Sequence, residues 1–470
     1  MKAFKCPNCA GDIRYDIEKE SMSCIHCGSL IKREEYQDYL DSESKYLTTE
    51  LECPQCGASV LSYDDTLSSF CSYCGASITF TKRLIEIGKP DGIIPFKITK
   101  EEALENYKKH IGNIYFAPKW MYEDCEEKTV GIYIPYYEYD GRLTGHFRTT
   151  GKEEYTSGSQ TVVKEYNVEF DLDARYEGTR FDASKTFPDS MSEGVDTFNI
   201  EEIKDFETSY LAGFYSDNGD TDESDYSELT KKLLSTNIKS DFRYSDVKLN
   251  MGNVNPDIEL KSKKILLPVW LNTHKRGERV FYSAVNGENG DVSTETPIDK
   301  FKYLIMALIV GGLISVVMNL IFTIKPGLFL FIAGVILFIF GLCLRKVAGD
   351  VYIRENHLDD LGLIGLEKFN ANAKSNDKPV MSDSNRKVKW LFNVPAKVRL
   401  VGWWRTLIGV LIILGVLISG TNLDYVYYIA AGINIILAIW SAFSLIDQQN
   451  KLASRDIPIF TMKRGGDDNG

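Results

Sequence analysis

Eight of the ten cysteines in this chain occur in four Cys-x-x-Cys pairs. The pairs are Cys6 and Cys9, Cys24 and Cys27, Cys53 and Cys56, and Cys71 and Cys74. Each cysteine of the first two pairs recurs 47 residues later, so the segment is an internal repeat. Two thiolates three residues apart on a tight turn hold one side of a tetrahedral ion, and a second turn completes a set of four sulfur ligands.

This spacing predicts two zinc ribbons in series, each with one structural Zn²⁺. The first set of ligands is Cys6, Cys9, Cys24 and Cys27, and the second is Cys53, Cys56, Cys71 and Cys74. A cross-braced RING domain is disfavoured, because 25 residues separate Cys27 from Cys53 whereas the middle ligand pairs of such a domain are nearly adjacent. Redox and iron–sulfur roles are alternatives, as are disulfides, which need an oxidising compartment. Four protein ligands leave no position for water or substrate, so we expect structural rather than catalytic sites.

The charge of the N-terminal segment bears on its partners and its compartment. Met1–Glu20 contains eight charged residues and no continuous apolar run, which predicts that it is not an export signal. Residues 1–83 carry 9 Lys and Arg against 13 Asp and Glu, and each tetrathiolate zinc site adds a net charge of about −2. Such a surface repels phosphate, which disfavours nucleic acid and favours a protein partner.

The middle region, from about residue 84 to 300, has the pattern of a mixed α+β domain with antiparallel strand pairing. A capping box from Thr99 to Glu102 opens a predicted helix that ends near His110. The other predicted elements are helices over 199–214 and 222–240, strands over 131–139, 166–176 and 264–272, and a hairpin over 281–292 that turns at Asn286-Gly287 or Glu288-Asn289-Gly290. The region has no phosphate loop, metalloprotease motif or nucleophile elbow, so we expect no enzymatic activity.

Four uncharged apolar spans follow: Tyr303–Ile324, Pro326–Leu344, Thr406–Leu423 and Tyr425–Ile446. About 20 apolar residues cross a bilayer core, so the sequence predicts two transmembrane helical hairpins. The stretch from Arg345 to Arg405 carries 12 Lys and Arg, whereas the two hairpin loops hold one. The positive-inside rule therefore predicts a multi-pass protein of the cytoplasmic membrane with its N-terminus, middle loop and C-terminus in the cytoplasm. The spans read as anchors, because they lack the charged groups of ion pathways.

Taken together, the sequence predicts a multidomain chain: two small β zinc ribbons, a mixed α+β soluble domain, and an all-α membrane region of two transmembrane hairpins. The predicted segments are ribbons at 1–40 and 47–83, a cytoplasmic domain at 84–300, hairpins at 301–346 and 401–447, a cytoplasmic or interfacial loop at 347–400 and a cytoplasmic tail at 448–470.

Several short motifs accompany the eight cysteines. They are Ile94-Pro95-Phe96, Ile98-Thr99-Lys100-Glu101-Glu102-Ala103, Tyr133-Ile134-Pro135-Tyr136, Tyr210-Leu211-Ala212-Gly213-Phe214, Leu266-Leu267-Pro268-Val269-Trp270 and Val285-Asn286-Gly287. With these motifs, most of residues 1 to 325 resembles a family of bacterial membrane-anchored double zinc-ribbon proteins, mainly Gram-positive and often labelled TFIIB-type zinc ribbon. The chain departs from the shorter members by its second hairpin and the loop before it.

The resemblance implies an adaptor that faces the cytoplasm and works with phage-shock-type or SPFH-type proteins in membrane stress. The expected function is thus a non-enzymatic zinc-ribbon adaptor that recruits or senses protein partners at the membrane. A membrane-tethered nucleic-acid-binding regulator and a transporter accessory subunit are the alternatives. A homo-oligomer is also compatible with the sequence.

Overall fold

The computed structural model describes residues 5–33, 45–62, 71–76, 81–123, 125–157, 160–184, 186–240, 243–244, 247–321, 326–355, 395–418 and 424–456. Most of the predicted interfacial loop (347–400) and tail (448–470) lies outside these residues, as do the turns of both predicted hairpins.

The strands are β1 Ile13–Asp16, β2 Ser21–Cys24, β3 Leu30–Ile31, β4 Lys45–Glu52, β5 Ser59–Ser62, β6 Thr81–Gly88, β7 Gly92–Ile93, β8 Thr129–Ser157, β9 Gln160–Asp182, β10 Lys204–Asp205, β11 Tyr215–Asp217, β12 Arg243–Tyr244, β13 Val247–Leu249, β14 Asp257–Arg276, β15 Arg279–Asn286, β16 Val292–Thr294 and β17 Arg455–Asp456. The α-helices are α1 Lys100–Gly112, α2 Cys125–Lys128, α3 Asp189–Val195, α4 Glu223–Ser240, α5 Lys300–Ile321, α6 Pro326–Glu355, α7 Ala396–Arg399, α8 Trp403–Ile418 and α9 Asp424–Leu452.

These strands form two sheets. The first has three strands in the order β1-β2-β3, and the second has 14 strands built around the long antiparallel pair β8 and β14. Pairing in the large sheet is mostly antiparallel, as predicted, but β7 pairs with β14 and β11 with β8 in parallel. β4, β5 and β6, which lie next to the second cysteine set, belong to this large sheet rather than to a sheet of their own.

The structure confirms most of the predicted elements of the middle region. α1 begins with the predicted capping box, in which the Thr99 hydroxyl accepts from the Glu102 N–H and the Glu102 carboxylate accepts from the Thr99 N–H. α4 and the hairpin of β15 and β16 also lie where the sequence predicted them. The predicted helix over 199–214 is wrong: this segment has two 3-10 turns and the short strand β10, which pairs with β7. The apolar side chains of this segment, such as Phe206, Tyr210 and Leu211, are buried although the segment is not an α-helix.

Alternation along the two central strands places buried side chains on both faces of the sheet. Ile132 and Ile134 belong to one hydrophobic cluster, and Tyr133 between them belongs to another. Because successive strand residues point to opposite faces, the two clusters lie on opposite sides of the β8–β14 pair. The first cluster includes all four cysteines of the second set. The second cluster includes Ile13, Tyr15 and Met22 of the three-stranded sheet together with α1 residues.

The short motifs quoted above meet in one aromatic group inside the second cluster. The Phe96 ring stacks on Phe214 at 4.3 Å between centroids, and lies 5.0 Å from Tyr133 and 4.9 Å from Trp270. Gly287 lies against the same ring, and a Cβ there would come within 2.6 Å of a Phe96 carbon. Segments that are distant in sequence therefore share one packing role, which is to join both central strands to the chain before α1.

Two helices in the described part of the chain are long and apolar enough to cross a membrane: Leu330–Glu355 within α6 and Tyr428–Leu452 within α9. α8 is apolar but shorter. α6 packs against α8 and α9, and α5 leaves most of its apolar side chains exposed. These findings indicate membrane association by length and composition.

Glycines allow α6 and α8 to approach closely. An added Cβ at Gly409 would lie 2.7 Å from the Gly334 carbonyl oxygen, and one at Gly341 would lie 2.8 Å from the Thr406 nitrogen. At Gly334, Gly341 and Gly409 the lack of a side chain thus permits close helix packing. At Gly311, Gly312 and Gly415 an added Cβ would meet nothing within 4 Å among the described residues.

We expect Gly409→Val to destabilise the contact between α6 and α8, because the new side chain would collide with backbone atoms that cannot move aside. The cost of such overpacking is about 1–3 kcal/mol. Thermal melting of the purified protein in detergent measures it. Gly415→Val is the matched control, because it lies on the same helix and an added Cβ there meets no atom of the described residues. An equal loss in both variants would reject the packing explanation.

The ends of the apolar helices are fixed to the edge of the large sheet. Arg279 at the start of β15 donates to the Glu355 carboxylate of α6 at 3.0 Å and to the Asp456 carboxylate at 2.7 Å. It also donates to the Ser454 hydroxyl at 2.6 Å and to the Lys451 carbonyl oxygen of α9 at 2.8 Å. The helices are thus joined to the sheet by a network of directed polar contacts at its edge.

Candidate metal centres

The first predicted quartet of cysteines comes together in the structure. The Sγ atoms of Cys6 and Cys27 are 3.7 Å apart, and those of Cys9 and Cys24 are 3.5 Å apart. All four Sγ atoms lie within 4.8 Å of one another. The hairpin of β1 and β2 positions the quartet, since Cys24 ends β2 and the Cys6–Cys9 turn precedes β1. Gly28 follows the second turn with φ +69°, where glycine is free of the steric cost of a side chain.

The second quartet has the same geometry. The Sγ atoms of Cys53 and Cys74 are 3.8 Å apart, and those of Cys56 and Cys71 are 3.9 Å apart. After each turn a glycine with positive φ closes a backbone hydrogen bond: Gly57 donates to the Cys53 carbonyl oxygen at 2.8 Å, and Gly75 to that of Cys71 at 3.0 Å. The repeat seen in the sequence is therefore also a repeat of local structure. We call the two groups centre one and centre two.

Both centres fit a tetrahedral metal ion with four thiolate ligands. Zn–S bonds of about 2.3 Å in tetrahedral geometry place the sulfurs about 3.8 Å apart, close to the observed separations. A disulfide would need an S–S distance of about 2.05 Å, and all eight cysteines are free thiols. Each group could hold one metal ion, and the sulfur donor set is consistent with zinc.

The two centres differ in their exposure. In centre one Cys6 and Cys24 are buried, and Cys9 and Cys27 are exposed. In centre two all four cysteines are at most 1% exposed. They pack in the first hydrophobic cluster with apolar residues of β14 and β15, such as Leu271 and Val280. Centre two is part of the core of the large sheet, whereas centre one lies at the surface.

Polar side chains from the sheet hold the last turn of centre two. The Tyr73 hydroxyl donates to the Asp217 carboxylate of β11, and the Tyr282 hydroxyl donates to the Tyr73 carbonyl oxygen. The Thr273 hydroxyl donates to the Ser72 carbonyl oxygen. Tyr73 is fully buried, and this burial raises the pKa of its phenol well above the ordinary value. The sequence did not single out Tyr73, because only the fold reveals that its partners are more than 140 residues away.

Centre one is held in place through its ribbon, which packs on the segment from Glu207 to Ala212. The Tyr15 ring meets the Tyr210 ring edge-on at 5.2 Å, and the Tyr15 N–H donates to the Ala212 carbonyl oxygen at 3.1 Å. Arg33 lies over the Tyr210 ring at 4.6 Å and forms an ion pair with Glu207. The motif from Tyr210 to Phe214 therefore supplies the platform on which the first ribbon packs.

The chemistry of Cys27 favours the ligand form of its thiol. The Ser29 hydroxyl lies 3.0 Å from Cys27 Sγ, and hydrogen bonds from Ser29 are the main cause that lowers the pKa of this thiol to about 6. A thiol with a lowered pKa is more readily deprotonated, and the thiolate is the form that binds a metal.

The comparisons with known proteins identify one uncharacterised relative in Bacillus subtilis (strain 168), YdjG. It is 29% identical to this chain over 318 residues, which is 64% of this chain and 91% of the relative. No family model matches the chain, and no solved structure matches it. The likeness extends over nearly the whole of the relative, and its name carries no statement of activity.

Proposed function

We propose that the protein is a non-enzymatic adaptor of the cytoplasmic membrane, with one structural Zn²⁺ in each centre and a protein-binding surface on the first ribbon. One observation carries this proposal: centre one lies at the surface of a sheet whose edge is joined to the apolar helices. A partner bound at the first ribbon would thereby be held at the membrane. Closed tetrathiolate centres support a structural role for the metal, because they have no open ligand position.

The arrangement of the helix ends supports two transmembrane hairpins, with the N-terminal region, the middle loop and the C-terminal tail on the same side of the membrane. Lys300 at the start of α5 forms an ion pair with Asp447 near the end of α9. Gly402, just before α8, lies against Gly341 and Leu344 of α6, at the C-terminal end of the predicted span Pro326–Leu344. The beginnings of α5 and α8 and the ends of α6 and α9 thus lie on the sheet side. This is the arrangement that the distribution of Lys and Arg predicts for the cytoplasmic side.

Exposed apolar side chains beside centre one support protein binding. Ile25, within the Cys24–Cys27 turn, is 55% exposed, and Leu30 just after it is 52% exposed. Neither side chain can bind a metal, so the metal centre does not explain why they are apolar. Exposed apolar residues on a rigid turn are suited to contact with another protein. The resemblance to membrane-anchored double zinc-ribbon proteins suggests a membrane-stress protein of the phage-shock or SPFH type as the partner, with a homo-oligomer as the other arrangement.

The test is a crosslinked pull-down of tagged full-length protein from membranes of its native cell. We expect Ile25→Asp/Leu30→Asp to reduce recovery of the partner at least about tenfold, as expected when two central contact residues are lost. Val163→Asp, a change of an equally exposed apolar residue on β9, should leave recovery unchanged. Metal analysis should find two zinc ions in all three proteins.

Equal recovery of the partner with both variants would reject the first ribbon as the binding surface. If the wild-type protein and both variants retain DNA in a salt-dependent way, the nucleic-acid regulator is favoured instead. Recovery of a permease with the wild-type protein would favour the transporter accessory subunit.

A further inference from the structure

A cavity of about 810 Å³ opens where the large sheet meets the apolar helices. The segment before α2 contributes Lys119 and Trp120, the end of β14 contributes Arg276, and the start of α5 contributes Lys300 and Phe301. Asn450 near the end of α9 closes another side, and its amide group bonds both the N–H and the carbonyl oxygen of Ile298 at 2.7 and 2.9 Å. The cavity is therefore built from both the sheet and the helices.

The cavity has cations that form no ion pair with the protein. Within the described residues, Lys119 has no ion-pair partner, and Arg276 has only a ring contact, with its guanidinium 5.0 Å from the centroid of Trp120. The acids that line the cavity are Asp299 and Glu123. Asp299 is engaged as the cap of α5, where its carboxylate accepts from the Phe301 N–H at 2.9 Å. The lining therefore carries three cations, Lys119, Arg276 and Lys300, against two carboxylates, Glu123 and Asp299, and this excess of positive charge favours an anionic ligand.

The apolar surroundings of the cavity continue along α5. Trp120 meets the Phe281 ring edge-on at 5.0 Å and forms part of the wall. Phe301 is 71% exposed at the mouth, and Leu308 two turns further along α5 is 65% exposed. A ligand with an anionic head and an apolar tail matches this order of side chains, and aromatic and basic residues at such a level are typical of the membrane interface.

We propose that this cavity binds the headgroup of an anionic phospholipid, with Lys119 and Arg276 on its phosphate and the acyl chains along α5. The inference rests on the membrane placement in the proposed function, because the start of α5 and the end of α9 must lie at the headgroup level. The cavity volume is within the range of sites for small molecules. Such a site would make the junction of sheet and helices sensitive to the lipid composition of the membrane.

The experiment titrates full-length protein in detergent with short-chain phosphatidylglycerol and counts bound lipid by native mass spectrometry. We expect Lys119→Gln/Arg276→Gln to weaken binding roughly 10- to 30-fold, since each basic side chain near an anionic lipid contributes about 1 kcal/mol. Lys248→Gln/Lys261→Gln removes the same charge from exposed sites at the distant end of the sheet and should bind as tightly as wild type. Phosphatidylcholine should bind more weakly than phosphatidylglycerol to the wild type.

Equal phosphatidylglycerol binding by the two double variants would overturn the proposal, as would equally tight binding of free glycerol phosphate, which has no acyl chains. Alkaline carbonate extraction of membranes separates this failure from failure of the proposed function. If wild-type protein stays in the membrane pellet but its lipid binding does not depend on Lys119 and Arg276, only the lipid site is refuted. Wild-type protein released by carbonate refutes the membrane anchor and the lipid site with it.

Discussion

Cys74→Ser should unfold the large sheet, whereas Cys9→Ser should leave the sheet folded and remove only one metal ion. Cys74 is fully buried in the cluster that contains central-strand residues such as Val269 and Leu271, so loss of the ion would leave thiols and polar backbone in the core. Structural zinc sites contribute about 10 kcal/mol or more to the folding of small modules, which approaches the total stability of many domains. Cys9 is exposed, and its ribbon packs on the sheet through Tyr15 and Arg33.

Zinc content and thermal unfolding of the two variants, purified in the same detergent, measure this difference. We expect about one zinc ion and a nearly unchanged main transition for Cys9→Ser. For Cys74→Ser we expect aggregated protein or no cooperative transition. Ser72→Ala, in the same turn but without a ligand sulfur, is the control for a change at that turn. A main transition lost equally in Cys9→Ser and Cys74→Ser would contradict the assignment of separate roles to the centres.

Arg279→Met should detach the apolar helices from the sheet edge. The guanidinium makes five hydrogen bonds, two to carboxylates and three to Ser454 and Lys451. Its loss leaves the carboxylates of Glu355 and Asp456 without this cation, and bonds to charged groups contribute about 1.5–3 kcal/mol each. Because Glu355 and Asp456 keep some access to solvent, we expect a total loss of about 2–4 kcal/mol.

Thermal melting of the full-length protein and limited proteolysis between sheet and helices provide the measurement. Arg276→Met is a close control, because Arg276 pairs with Arg279 across the same hairpin yet contacts only the Trp120 ring. We expect Arg279→Met to be cleaved faster at the junction and Arg276→Met to resemble wild type. Similar proteolysis of both variants would show that the junction does not depend on Arg279.

Local elements of this fold follow from short stretches of sequence. The cysteine turns need only two thiols three residues apart and a glycine that accepts positive φ, as at Gly57 and Gly75. The capping box at Thr99 and Glu102 and the turn after Asn286 also depend on residues within a few positions of each other. The failed helix over 199–214 shows the limit of this approach. There, pairing of Lys204 with Ile93 and packing of Tyr210 on the first ribbon override the local helical pattern.

The sequence by itself predicted the two cysteine quartets, because each set of four is contained in about 22 consecutive residues and is defined by spacing. Two nearly identical cysteine patterns, however, gave no reason to expect different roles. Only the tertiary structure decided that centre two lies inside the core while centre one remains at the surface. The physical reason is that burial depends on contacts such as those of Tyr73 with Asp217 and Tyr282, whose partners are separated by more than 140 residues and meet only when the long strands pair.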